Sequence, residues 1–140
     1  MNVESLFEEA IIQDDRDKLE KSIELVLDEW LYFFMWEKDG KNTPVSSGNV
    51  VSIITSGKEN PVSIPLIKDK QGAFGVLYFT KQLAVESAEF NCKVGQMKGR
   101  KALAMFKGMA GVDAVAIQST NQYNVRIPIS EIERVLETYA

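Results

Sequence analysis

The chain has 140 residues, 45% of them hydrophobic and 26% charged, and a formal net charge of -4. A chain of this length holds one domain with its own core and needs neither disulfide nor metal to keep it folded. The acidic balance opposes the phosphate attraction behind non-specific nucleic-acid binding. A single cysteine, Cys92, excludes an internal disulfide and fits a reducing compartment. The start MNVESLFEEA is acidic and unlike a secretory signal. The longest apolar run, Trp30 to Trp36, is too short to span a bilayer. The expectation is therefore a cytoplasmic protein with neither membrane nor nucleic acid as partner.

Taken in order, residues 2–13 predict a first helix with Leu6, Ala10 and Ile11 on its buried side. Asp14 and Asp15 break it, and either can cap the next helix. That second helix carries Leu19, Ile23, Val26, Leu27 and Trp30 on one stripe, the clearest 3.6-residue pattern in the chain. Leu31 to Trp36 then reads as a buried strand. Its apolar residues fall on both faces, so one face is expected to present an exposed patch, with Trp36 as the candidate contact.

Asp39-Gly40 supplies a turn, and residues 41–48 read as loop or weak edge strand. Residues 49–55 predict a strand. Val62 to Ile67 predicts another, with Pro65 placing it at an edge or interrupting it. A turn over residues 69–72 leads into the central strand, GAFGVLYF. Phe74, Val76 and Tyr78 alternate with Leu77 and Phe79, apolar on both faces, as in a strand covered from both sides. Phe79 is expected in the core. Thr80 is placed to cap a helix with Leu83, Ala84, Ser87 and Ala88 on its inner side.

Residues 92–95 read as the close of that segment. Residues 99–108 predict a helix burying Leu103 and Phe106 with its lysines outside, and Gly108 and Gly111 are candidate stops. Residues 114–118 predict a strand, Tyr123 to Ile127 its hairpin partner, and Pro128 its end. Ser130 with Glu133 has the spacing of a capping box for a last helix burying Ile132, Val135 and Leu136. The expected fold class is α+β: a mixed, mainly antiparallel sheet with helices packed on it.

Three segments carry a resemblance. They are Ile23-Glu24-Leu25-Val26-Leu27-Asp28-Glu29-Trp30-Leu31-Tyr32; then Ile64-Pro65-Leu66 with Leu77-Tyr78-Phe79-Thr80; then Val112-Asp113-Ala114-Val115-Ala116-Ile117 with Ile127-Pro128-Ile129-Ser130-Glu131-Ile132. In this order the chain resembles the SseB N-terminal domain family, the bacterial group named for enhanced serine sensitivity. It departs from that family's pattern at Lys81-Gln82, Ala114 and Gln118-Ser119. The resemblance implies a shared scaffold and no assigned enzymatic activity. Related domains look like small adaptor or immunity-type proteins in bacterial secretion and toxin neighbourhoods.

The residue inventory points away from catalysis. Histidine is absent, and with it the commonest general base near neutral pH. No G-x-S-x-G elbow is present. Cys92 beside Lys93 reads as a structural thiol. No cofactor and no metal are expected; Asp14, Asp15 and Asp17 lack the glycine turn and distal glutamate of a calcium loop. Gly95 and Gly99 with Arg100 and Lys101 miss the phosphate-loop spacing. Trp30, Tyr32, Phe33, Phe34 and Trp36 lack interleaved basic residues, so core packing is favoured over base stacking.

Charge is segregated. Met1 to Trp30 holds ten acids and three bases, whereas residues 81–107 hold six bases and two acids. The expected function is non-catalytic binding of another protein, with toxin immunity or secretion support as candidate roles and a homodimer also open. The contacts would come from Lys98, Arg100, Lys101, Lys107 and Trp36. The alternative is a small-ligand or anion site, with Lys98, Arg100 and Lys101 around the backbone at Gly99.

Overall fold

A computed structural model describes residues 2–37, 50–56, 62–87, 93–109 and 111–140, which form five helices and seven strands. In chain order these are α1 (Val3–Ile12), α2 (Arg16–Val26), β1 (Trp30–Glu37), β2 (Val50–Ser56), β3 (Val62–Asp69), β4 (Gly72–Tyr78), α3 (Lys81–Ser87), β5 (Lys93–Lys98), α4 (Gly99–Lys107), β6 (Ala114–Gln118), β7 (Asn124–Pro128) and α5 (Ile129–Thr138). The strands run β2-β3-β1-β4-β6-β7, with β5 added on β1. The β4–β6 pair is parallel and the other pairs are antiparallel. The fold is α+β, a mixed, mainly antiparallel sheet carrying helices, as the sequence predicts.

Strand alternation sorts the core into two layers. Leu31 and Phe33 of β1, Leu77 of β4, Val115 and Ile117 of β6 and Ile127 of β7 face the main core. Phe7, Ile23, Val26, Leu27, Leu103, Phe106, Ile132 and Val135 close it from the helices. On the opposite face, Tyr32, Phe34, Val76, Tyr78 and Val94 pack with Leu83 and Ala84 of α3. Thus β4 is covered on both sides. Its Gly75 is required by close approach: a Cβ there would lie 2.1 Å from Cε1 of Phe106, so α4 rests a ring directly on the strand backbone.

Local capping chemistry is read correctly at two starts: Asp15 accepts from the Asp17 and Lys18 N–H groups, and Thr80 from Leu83 at 3.1 Å. Asn2, which the sequence places inside the first helix, is instead its cap residue and accepts from the Ser5 N–H. Capping is read wrongly at α5, which starts at Ile129 with Pro128 as its cap residue and no side-chain cap bond. Ser130 therefore already lies inside the first turn, and no capping box forms; the Ile129 N–H donates to Asp113 O instead.

Other expectations shift for packing reasons. In α1 the buried residues are Phe7 and Ala10, while Leu6 is half-buried. Phe7 tilts against Phe79 at 5.2 Å, and Phe79 is partly buried rather than a core ring. Trp30 leaves the α2 stripe, opens β1 and is 49% exposed. The closing segment expected at residues 92–95 is, from Lys93 on, the start of a strand over residues 93–98, paired with β1 from Trp30↔Lys98 to Met35↔Lys93. The sequence KVGQMK has no strong period of its own; its ladder partner dictates the conformation.

Pro65 does not place β3 at an edge. The strand pairs with β2 along one side, and on the other with β1 at residues 62–63 and with β4 at residues 67–69. Pro65 falls in the gap between those two ladders, where its missing N–H costs no bond. Gly72, at φ +118°, closes the β3–β4 turn, and Gly108 ends α4 in a right-handed conformation. The predicted turn at residues 39–40, the loop at 41–48, and Cys92 lie outside the described residues.

Candidate partner-binding surface

The end of α2 and the start of α4 meet head to tail. The Gly99 N–H donates to Glu29 O at 2.8 Å and the Arg100 N–H to Leu27 O at 2.9 Å. The Lys98 ammonium donates to Asp28 O at 3.0 Å and stands 5.0 Å from the centre of the Trp30 ring. Carbonyls at the negative end of one helix thus receive donors from the positive end of another. The approach is tight enough to require glycine, since a Cβ on Gly99 would lie 2.0 Å from Val26 O.

This junction decides what the predicted site residues can do. The backbone donors that an anion would need at Gly99 and Arg100 are already bound to protein carbonyls. Lys98 is engaged on Asp28 and Trp30. Arg100 and Lys107 are seven residues apart, on the same side of α4 and about 10 Å apart along its axis. Lys101 and Lys107 are exposed and Arg100 is half-buried. Among the described residues, none of these three has a carboxylate within ion-pair distance, in contrast to Lys18, Lys21, Arg126 and Arg134.

Trp36 lies in β1 opposite Ser63, at the far end of the strand from this junction. The exposed tryptophan beside Lys98 is Trp30, which the helical periodicity places on a buried stripe. Strand alternation holds the missed signal: with Leu31 and Phe33 inward, Trp30 must point the other way.

A second polar cluster ties α1 to the β6–β7 turn. Glu8 accepts from the Ser119 hydroxyl at 2.5 Å, from the Asn121 N–H at 3.2 Å and from Asn121 Nδ2 at 3.0 Å. Glu4 accepts from the Thr120 N–H and hydroxyl, both at 2.6 Å. Burial alone would raise the Glu8 carboxyl; the bonds from Ser119 and Asn121 outweigh it and hold the pKa below the ordinary 4.5. Ser119 is 0% exposed and bonded, a latch rather than a nucleophile open to substrate.

Among the described residues, no three His, Cys, Asp or Glu side chains gather to hold a metal ion, and no helix is long and apolar enough to cross a membrane. Comparison of the chain with protein-family models, curated proteins and solved structures finds no match.

Proposed function

We propose that the chain is a non-catalytic protein-interaction domain that holds an acidic partner surface against Trp30 and the outer face of α4. The observation that carries this reading is the junction itself. It fixes an exposed tryptophan beside Lys98, at the start of a helix whose Arg100, Lys101 and Lys107 meet no carboxylate among the described residues. Tryptophan and arginine are the side chains that most often anchor protein interfaces. Unpaired cations speed encounter with an acidic surface and set its orientation. The SseB-like family reading, with a bacterial toxin-immunity or secretion-accessory role, belongs to the same proposal and rests on the segments quoted above. The anion-site alternative is weakened, because the backbone donors it needs are spent.

Affinity capture from the native host tests this. The chain and its Arg100→Glu/Lys101→Glu/Lys107→Glu variant are compared, with circular dichroism confirming an intact fold. The expected result is a partner retained by the wild type and reduced about tenfold or more by the variant. Equal capture by both would remove α4 from the proposal.

A further inference from the structure

A separate feature lies at the opposite end of the strand order. β7 is the last strand there, and among the described residues only β6 pairs with it. The ladder's phase shows which of its backbone groups are spent. The Ser119 N–H donates to Tyr123 O, and the Ile129 N–H donates to Asp113 O. With Ile117↔Val125 and Val115↔Ile127 in the same register, Val125 and Ile127 are the residues that exchange both bonds with β6. The N–H and C=O groups of Asn124 and Arg126, and the Pro128 carbonyl, therefore point away from the sheet.

Beside that edge runs a groove of about 350 Å³ between α2, β7 and the start of α5. Leu19, Ile23, Val125, Ile127 and Pro128 supply its apolar lining. Four charged residues complete it: Arg16, Glu20, Arg126 and Glu131. Three are already matched. Arg134 donates to Glu20 at 2.8 and 2.9 Å and to Glu131, while Arg126 clamps Asp69 at 2.6 and 3.0 Å. Alone of the four, Arg16 has no carboxylate partner among the described residues.

We infer that this edge is a strand-addition site for an extended peptide, with apolar side chains at alternate positions entering the groove and one carboxylate reaching Arg16. Each part of the peptide has a counterpart. Its backbone meets two outward N–H groups and three outward carbonyls, its inward side chains meet Leu19 and Ile23, and its charge meets Arg16, the groove cation with no carboxylate partner among the described residues. Pro128 ends the edge by removing a donor, which limits the added strand to a short one. This site is independent of the α4 surface.

The test uses the intact chain, labelled for amide NMR, and a short acetylated peptide of alternating valine and threonine ending in glutamate. Controls are the same peptide ending in lysine and one N-methylated at its pairing positions. The expected result is saturable shifts of the Asn124 and Arg126 amides. N-methylation should abolish them, and the lysine ending should weaken binding about tenfold. Arg16 is exposed in the first turn of α2, so Arg16→Glu leaves the fold intact and should reverse the preference between the two endings. Unmoved Asn124 and Arg126 amides, equal binding of both endings, or pairing of β7 with a second copy of the chain would each overturn the inference.

Discussion

At the scale of single residues, the clearest dependency is between Gly75 and Phe106. The ring is 0% exposed and occupies the space that a side chain at Gly75 would need. Gly75→Ala should destabilise the fold by roughly 1–3 kcal/mol in urea unfolding. Phe106→Leu in the same chain should recover part of that loss, a coupling that a double-mutant cycle measures; additive losses would mean the two sites do not touch. Phe79→Ala should cost less than the ~3–5 kcal/mol of a fully buried phenylalanine, because its ring is only partly covered. Glu8→Ala should cost on the order of 1 kcal/mol, since the buried Ser119 hydroxyl loses its acceptor. The same latch responds to acid. The Glu8 pKa is lowered in the folded chain, so its contribution is whole above the ordinary 4.5 and is lost as pH falls through the folded value. Hydrogen exchange at the Asn121 amide, corrected for intrinsic rate, should lose protection below pH 4.5, where protonation begins to release Glu8.

At the scale of elements, α4 is placed by its first turn as much as by its apolar side. Gly99→Ala would ordinarily strengthen a helix by ~1 kcal/mol. Here its methyl group meets the Val26 carbonyl, a backbone atom unable to swing aside. The expected net outcome is a loss of roughly 1–3 kcal/mol, read from the urea midpoint; a more stable variant would show that α2 and α4 do not meet as described. How well each element could be read follows from where its information resides. Strand β4 and helices α2 and α4 carry their periodicity in their own residues, and Asp15 and Thr80 declare their caps locally. Strand β5 carries little such signal and exists through its six-residue ladder with β1. Pro65 misled because proline forbids a ladder bond on only one side of one residue, and the sequence does not show where two ladders leave a gap. The cations of α4 are visible in the sequence; that no carboxylate among the described residues meets them, and that Trp30 stands beside Lys98, shows only in the folded chain.

At the scale of the whole molecule, opposite charges are segregated along the sequence, and among the described residues Arg100, Lys101 and Lys107 meet no carboxylate. A contact built on such cations weakens as ions screen it. Capture of the partner should therefore fall steeply as salt rises from about 0.05 to about 0.5 M, where screening reaches within a few ångströms; salt-independent capture would point to an apolar interface instead. The most direct measurement is hydrogen exchange of the chain alone and with the captured partner. The account predicts new protection at residues 98–107 and at Trp30. Protection confined to other parts of the chain, with α4 exchanging as it does alone, would contradict it.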